Sequence, residues 1–298
     1  MTSLLNRQHV LLALLDTLGG RSGNRNFQEL LFLFSQENPT AGLYEFVPCR
    51  YGAFSFTSYA DRRELVVGGL LHDTEAGWEI TDSGSAAIRG HRHSAIDGFV
   101  HEFGHLHGDA LAREAYFRYP YFATRSRMII ELFGTDPEAQ RRVEEARDVK
   151  VQASLLSIGY QGRSLEGYLN ELLRAGVSQL LDVRRNPSSR QYGFSKPALD
   201  VACQSVGIIY RHIPELGVSP ENRKAPKSQA EFDAICESFV KEGLPQHHRL
   251  LSEISAWIRA GDRIALTCYE RDPGRSHRRC VSGVLEKDFA IGAATVHL

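Results

Sequence analysis

The strongest constraint on the fold is a regular alternation of apolar runs and amphipathic stretches that fills the second half of the chain. The apolar runs predict buried strands, and the stretches between them repeat apolar residues every three or four positions, as helices do. The predicted strands are LLSIGY (155–160), QLLDV (179–183), IIYRHI (208–213), RIALTC (263–268) and ATVHL (294–298). Because parallel strands need helical crossovers and are covered on both faces, this pattern predicts a mostly parallel, open α/β sheet over residues 151–298.

Residues 1–90 predict three helices followed by a β-hairpin, with the turn of the hairpin near Glu75. Ser58 and Asp61 predict a capping-box-like start for the third helix. This order is typical of a winged helix-turn-helix, and residues 47–71 resemble winged-helix segments of bacterial defence and regulatory proteins. The resemblance implies binding to duplex DNA, with Arg62, Arg63 and the hairpin near the phosphates. A winged helix that makes only protein contacts is the alternative.

Residues 91–150 predict a helical connector between the two domains. The string HEFGH at 101–105 matches the H-E-x-x-H pattern of a zinc site, but Gly104 weakens the helix and no third ligand stands out. His101 and His105 are therefore expected at the surface or in packing. The aromatic string AYFRYPYFATRS (115–126) fits either a base-stacking platform or helix packing, and packing is the more common use.

Charge and cysteine usage set further limits. The net charge of −1 and the pI near 6.9 exclude a global basic field, so any DNA contact must come from local patches. The five cysteines are odd in number and never spaced C-x-x-C, which predicts reduced thiols and a cytoplasmic protein. The N-terminal stretch reads neither as a signal peptide nor as a membrane span, so no membrane partner is expected.

Polar residues follow each of four predicted strands at its carboxyl end. In open parallel sheets, ligands bind beyond that edge, because the loops that leave the strands converge there. The residues at these ends are Tyr160, Gln161 and Gly162; Asp182 to Pro187; Pro214, Glu215, Leu216 and Gly217; and Cys268, Tyr269, Glu270 and Arg271. The sequence therefore predicts a functional site at this edge.

Four ordered blocks, SIGYQGRSLEGYL, LLDVRRNPSSRQYGFSKPAL, YRHIPELG and LTCYERDPGRSHR, resemble the family of domains of unknown function numbered 488. The resemblance covers about 140 residues and implies a compact α/β domain with a polar pocket. It implies no settled reaction. The family commonly carries a cysteine immediately before the histidine of the last block, where this chain has Ser276, so a mechanism that needs a cysteine pair loses one partner.

The segment TCYERDPGRSHRRC (267–280) permits several chemistries. A phosphatase-type C-x5-R loop is disfavoured because Arg275 comes one position too late, and a metal clasp of Cys268, His277 and Cys280 has loose ligand spacing. We favour Cys268 as a small buried residue and Glu270 as an acid in the cleft. The segment from Gly274 to His277 then opens a helix whose amides, with Arg278, hold an anion. A simple ion pair between Glu270 and Arg184 is the alternative.

Asp182 and Glu270 are predicted to form a pair of carboxylates in a basic cleft, which suits cleavage of a glycosidic bond. Together with the upstream module, this predicts a DNA glycosylase that excises a base from modified or foreign DNA and needs no cofactor. Arg184 and Tyr160 complete the predicted catalytic set, with Tyr160 or Tyr192 stacking on the flipped base. The predicted substrate- and phosphate-binding residues are Gln161, Arg185, Arg190, Tyr192, Glu215, Arg271, Arg275, Ser276, His277 and Arg278.

Two other functions remain open. A DNA-binding regulator would use the α/β pocket to sense an anionic ligand and would show no turnover. A metal-dependent nuclease would use Asp182 and Glu270 as Mg²⁺ ligands.

Overall fold

The computed structural model describes residues 4–39, 42–90, 94–134, 136–147, 154–218, 228–289, 291–292 and 294–298. The chain divides into two compact units, residues 1–148 and 149–298. Among the helices of the described ranges, none is both long and apolar enough to cross a membrane.

The first half of unit 1 alternates helices with short strands. Its elements are α1 (Asn6–Thr17), β1 (Arg21–Gly23), α2 (Asn24–Glu37), β2 (Val47–Cys49), β3 (Gly52–Phe54), α3 (Phe56–Val67), β4 (Gly77–Glu79) and α4 (Asp82–Ala87). Strands β1 and β4 pair antiparallel, and a bridge between Leu71 and Ile80 extends this ladder. The second pair, β2 with β3, lies between α2 and α3, where a helix-turn-helix would have a tight turn. The winged-helix assignment therefore stays a prediction.

The start of α3 differs from the predicted one. Ser55, not Ser58, is the N-cap, and its hydroxyl accepts a hydrogen bond from the Ser58 amide. Asp61 is buried and accepts hydrogen bonds from Arg7 and from the Tyr44 hydroxyl. The predicted capping-box role of Asp61 is wrong because its carboxylate is needed for these long-range contacts.

Residues 94–147 share one hydrophobic core with the residues that precede them. Their helices are α5 (Ser94–Phe103), α6 (Gly108–Arg118), α7 (Ile129–Phe133) and α8 (Pro137–Glu145). Phe34 packs against Phe99 with ring centroids 5.2 Å apart, and Phe32 packs against Phe122 at 4.6 Å. The segment predicted as a connector is thus part of unit 1, and these contacts bear out the packing interpretation of its aromatic string.

The H-E-x-x-H string does not form a metal pair. Helix α5 ends at Phe103, so His101 lies on the helix and His105 lies beyond it, and both side chains are exposed. This agrees with the sequence-based preference for surface histidines.

Unit 2 is built on the predicted parallel sheet. Its elements are β5 (Leu155–Gly159), α9 (Leu165–Arg174), β6 (Gln179–Asp182), α10 (Lys196–Ser205), β7 (Ile209–His212), α11 (Gln229–Ser238), α12 (His248–Arg259), β8 (Ile264–Cys268), α13 (Arg278–Asp288) and β9 (Val296–His297). The strand order is β7-β6-β8-β5-β9, and each neighbouring pair is parallel. The predicted α/β fold is confirmed.

The register of this sheet brings the carboxyl ends of β5, β6 and β8 to one edge. Asp182 lies opposite Thr267, and Gly159 lies opposite Cys268. The central strands β5, β6 and β8 are buried at every position, because helices cover the sheet and the strands are apolar. The loops that leave these strands therefore meet at a fixed place.

Cys236 on α11 and Cys280 on α13 form a disulfide bond. The prediction that all five cysteines are reduced thiols is wrong for this pair. No sequence pattern predicts this bond, because the two cysteines are 44 residues apart and do not follow a recognisable spacing.

Arg62 lies against the hairpin. Its Nη2 donates to the carbonyl oxygens of Thr74 at 2.5 Å and Gly77 at 2.9 Å, and its guanidinium lies 5.5 Å from the ring centroid of Trp78. Arg62 thus has a structural role in the hairpin, and its phosphate contact stays a prediction. Arg63, the next residue, is exposed on α3.

We expect these two neighbouring arginines to differ sharply in their effect on stability. Arg62→Gln should lower the free energy of unfolding by about 1–3 kcal/mol, because two carbonyl groups lose a charged donor. Arg63→Gln should change it by no more than about 0.5 kcal/mol, as surface substitutions usually do. Urea unfolding of the full chain measures both free energies. Equal effects of the two substitutions would contradict a stabilising role for the hydrogen bonds of Arg62.

Candidate functional site

Asp182 and Arg184 form a buried ion pair at the end of β6. Arg184 Nε lies 2.8 Å from Asp182 Oδ1, and Nη2 lies 2.5 Å from Oδ2, so both carboxylate oxygens are engaged by one guanidinium. The two residues are 0% and 3% exposed. Burial opposes the charge on Arg184, but the hydrogen bonds and the charge of Asp182 outweigh it and raise the pKa of the guanidinium. Such fork-to-fork geometry fixes the position of both side chains.

Three further groups complete this network. Tyr210 donates to Asp182 Oδ2 at 2.6 Å, and Arg184 Nη1 donates to the Tyr160 hydroxyl and to the Phe194 carbonyl oxygen, each at 2.8 Å. The Tyr160 ring is stacked on Phe194 with centroids 4.4 Å apart. We call Asp182, Arg184, Tyr160, Tyr210 and Phe194 the aspartate network. It ties the long loop after β6 back to the sheet.

These contacts correct three of the predicted roles. Asp182 accepts from Arg184 and Tyr210 through both oxygens and is fully buried, so it does not offer a carboxylate to a substrate. Tyr160 is buried and already stacked, so it does not serve as a platform for a flipped base. Arg184 pairs with Asp182 and not with Glu270, which overturns the alternative ion pair.

A second group of polar side chains surrounds the end of β8. The Cys268 thiol donates to Glu270 Oε2 at 3.0 Å, and the Ser276 hydroxyl lies 2.7 Å from the sulfur. Because the thiol has one proton and Glu270 accepts it, the serine hydroxyl donates to the sulfur. Burial raises the pKa of the Cys268 thiol to about 12, against the nearby positive charge of Arg278. The predicted burial of Cys268 is therefore confirmed.

His277 belongs to the same group. Its Nε2 lies 2.9 Å from the carbonyl oxygen of Val183, which can only accept, so Nε2 carries a proton. One ligand atom from each of Cys268, Glu270 and His277 lies within 4.8 Å of the others. The predicted clasp of Cys268, His277 and Cys280 is wrong, because Cys280 is bonded to Cys236, and Glu270 takes the third place.

Arg278 completes this group and is 1% exposed. Its Nε and Nη1 atoms have no hydrogen-bond partner among the described residues. We call Cys268, Glu270, Ser276, His277 and Arg278 the edge cluster. It combines an acid, a thiol, a hydroxyl, an imidazole and a buried cation at the carboxyl edge of the sheet.

The helix amides near Arg278 are not available as anion donors. The Arg279 amide donates to the Ser276 carbonyl oxygen at 3.1 Å, the Cys280 amide donates to that of His277 at 3.0 Å, and the Arg278 amide faces the Ser276 hydroxyl. The prediction that the first amides of α13 hold an anion is corrected. Only the guanidinium of Arg278 keeps that role.

The remaining predicted site residues lie at the surface of the same unit. Gln161 accepts from the Arg271 amide at 3.3 Å, which joins the loops after β5 and β8. The exposed residues are Gln161, Arg185, Arg190, Tyr192, Glu215, Arg271 and Arg275. They line no buried pocket in the described contacts, and they stay predictions as substrate contacts.

Sequence reasoning missed Tyr210, Phe194 and Gly159. A Cβ at Gly159 would overlap the Glu270 carbonyl oxygen, so this position needs glycine for the close approach of the two backbone segments. The pairing of Leu180 with Tyr210 in the sheet register is what brings the tyrosine to Asp182, and only the strand order reveals it.

We expect Asp182→Asn to destabilise unit 2 and not simply to remove a catalytic group. Loss of the carboxylate leaves Arg184 buried without a counter-charge, which should cost about 3–5 kcal/mol of unfolding free energy. The double change Asp182→Leu, Arg184→Met removes both charges and should cost less than Asp182→Asn alone. Urea unfolding of the full chain tests this, and additive losses would argue against the pair.

The Cys268 thiol should resist alkylation in the folded protein. With its pKa raised to about 12 and its side chain buried, almost none of it is thiolate at pH 8. Cys49, which is half-buried, should react with iodoacetamide first. Peptide mass spectrometry after timed labelling measures the order, and faster labelling of Cys268 would contradict the described burial.

Comparison with known proteins adds one finding. No curated protein and no solved structure matches the chain. Residues 164–285 match the sequence model of the family described as "Domain of unknown function DUF488". That range includes the aspartate network except Tyr160 and all of the edge cluster. The resemblance that the sequence motifs predicted is confirmed: the C-terminal unit carries a DUF488 domain, a family name that states no activity.

Proposed function

We propose that the chain is a hydrolase that acts on DNA and excises a base from modified or foreign DNA, with its chemistry in the edge cluster. The single observation that carries this proposal is the placement of a Glu270 carboxyl oxygen within 4.8 Å of the His277 imidazole and the Cys268 thiol, in the segment that also carries the buried Arg278. An acid and a cation at the carboxyl edge of a parallel sheet fit a negatively charged substrate that needs proton transfer.

Glu270 is the proton-transfer group of this reaction. Its carboxylate takes a proton from water while the water oxygen bonds to C1′ of the deoxyribose. The bond from C1′ to the base breaks, its electron pair stays on the base nitrogen, and the base takes a proton from solvent. The same carboxylate stabilises the positive charge that develops on the sugar. Asp182 supports this chemistry only through Arg184, as a positioning residue.

Unit 1 and the exposed arginines supply the DNA contacts in this proposal. Arg271 and Arg275 are exposed in the loop that carries Glu270, where they suit contacts to phosphates that flank the reacting nucleotide. Arg63 on α3 remains the candidate duplex contact of unit 1. Both sets act locally, which agrees with the absence of a net positive charge on the chain.

The first test is base release in EDTA. Purified full-length protein is incubated with genomic DNAs, including heavily modified phage DNA, and released bases are measured by mass spectrometry. Glu270→Gln should slow release by about 100-fold or more, because general acid–base catalysis contributes at least that much. Glu237→Gln, the same change on the exposed face of α11, should behave as wild type.

Product chemistry separates the alternatives. An abasic site breaks the strand only after alkali, whereas a nuclease breaks it directly. Binding of DNA with no released base and no break would remove the enzyme proposal and leave the regulator.

The arrangement of Cys268, Glu270 and His277 favours one second candidate, a zinc-dependent hydrolase. Thiolate, carboxylate and imidazole are zinc ligands, and three protein ligands with one open position are typical of catalytic zinc. The hydrogen bond from His277 Nε2 to the Val183 carbonyl oxygen orients the ring, as backbone carbonyl groups do for histidines that bind metals. The Mg²⁺ site predicted from Asp182 and Glu270 has no such support, because Arg184 engages both carboxylate oxygens of Asp182.

Metal content decides between the two candidates. In the zinc case, EDTA-treated protein should regain about one Zn²⁺ per chain on dialysis against zinc, measured by mass spectrometry, and activity should return with the metal. His277→Ala should lose that metal. Full activity in EDTA would exclude the zinc candidate.

A further inference from the structure

We propose that Arg278 lies at the base of a binding site for a phosphate-class oxyanion. The oxyanion supplies the counter-charge that the described part of the chain does not. The inference deepens the proposed function, on which it rests for the identity of the anion as a DNA phosphate. The existence of the site rests on Arg278 alone.

The burial of Arg278 has no internal explanation in the described residues. Its side chain is among the largest fully buried ones, yet Nε and Nη1 lack acceptors and no carboxylate forms a salt bridge with it. The contrast with Arg184 is direct: that guanidinium lies at the same edge and donates to a carboxylate, a hydroxyl and a carbonyl group. Among the described residues, Arg184 thus has acceptors for its guanidinium, whereas Nε and Nη1 of Arg278 have none.

The charge on Arg278 cannot be relieved by deprotonation. A guanidinium keeps its proton in proteins, whereas a buried lysine would become neutral. Leaving such a charge buried and unpaired is strongly unfavourable. The ordinary solution is an anion, and a ligand can provide one where the protein does not.

The surroundings of Arg278 favour an added anion over an internal partner. Cys268 is hydrogen-bonded to Glu270 as a thiol, so the nearest sulfur is not an ion. The first amides of α13 are already used by Ser276 and His277. Nη1 lies 2.8 Å from the position that a Cβ on Gly159 would fill, and the same position overlaps the Glu270 carbonyl oxygen, so any side chain there would displace the guanidinium.

The chemistry of the anion follows from these donors. Unpartnered N–H groups on a planar cation match an oxyanion with several acceptor oxygens, and arginine is the residue that most often recognises phosphate in this way. The exposed Arg271 and Arg275 precede Arg278 in the same segment, which suits an anion that belongs to a chain of phosphates. Free phosphate and a phosphodiester share this chemistry, so both are probes.

The test compares the thermal stability of the full-length wild type with Arg278→Met and Arg279→Met, in chloride and in inorganic phosphate at equal ionic strength. Arg279 is the matched control because it is the next residue, is exposed and pairs with Asp233. In chloride, Arg278→Met should be at least as stable as wild type, because an unpaired buried charge has been removed. In phosphate the order should reverse, with wild type and Arg279→Met stabilised equally and Arg278→Met gaining less.

General stabilisation by phosphate as a salt is the same for all three proteins, so only the difference between them counts. Equal stabilisation of Arg278→Met and wild type by phosphate would overturn the site. The site would also be overturned if phosphate stabilised the wild type no more than it stabilises Arg278→Met. If Arg278→Met does not fold in either buffer, Arg278→Lys is the second variant, because it removes the planar fork of donors and can shed its proton when buried. It should bind phosphate at least tenfold more weakly by calorimetry, and unchanged affinity would overturn the site.

A second arm separates this inference from the proposed function. A short single-stranded oligonucleotide should compete with inorganic phosphate for wild type in calorimetry. Phosphate binding through Arg278 without competition by DNA, or without base release, leaves the anion site intact and removes the proposed DNA chemistry. Base release that is unaffected by Arg278→Met, with no phosphate binding, removes the anion site and leaves the proposed DNA chemistry intact.

Discussion

The need of a buried guanidinium for a counter-charge organises the candidate site. Asp182 meets this need for Arg184, and the pair then holds Tyr160, Phe194 and the loop after β6 in place. Among the described residues the same need is unmet at Arg278, on the helix that follows β8, the strand next to β6 in the sheet. Arg278 is itself fully buried, and its Nη1 lies close to the backbone at Gly159, where β5 ends. A rigid scaffold of this kind is what an anion site requires.

The α/β fold of unit 2 was predictable because it depends on periodicity, which is a property of the local sequence. The position of the site was predictable for a related reason, since parallel strands deliver their carboxyl ends to one edge whatever their order. The roles of Asp182 and Glu270 were not. Both acids follow a strand, and the sequence does not show that Tyr210 and Arg184 close around one of them while the other faces a thiol.

The same limit applies in unit 1 and at the cysteines. The helices and the hairpin follow from local patterns, but Arg62 was assigned to DNA because an arginine on a third helix often contacts phosphate. Its partners, the carbonyl groups of Thr74 and Gly77, come from the hairpin and depend on how that hairpin folds back. The Cys236–Cys280 bond likewise depends on the packing of two helices that are far apart in sequence. Both interactions are long-range contacts, which local sequence patterns do not reveal.

The proton between Cys268 and Glu270 decides which chemistry the edge cluster performs. As a thiol, Cys268 donates to Glu270, and the carboxylate is held in one orientation for acid–base work. Zinc would displace that proton and turn both groups into ligands, which removes Glu270 from proton transfer. The cluster therefore cannot use Glu270 as a free acid–base group and as a zinc ligand in the same state. Ser276, which donates to the sulfur, supports the thiol and would equally stabilise a metal-bound thiolate, so the choice lies with metal affinity and not with the fold.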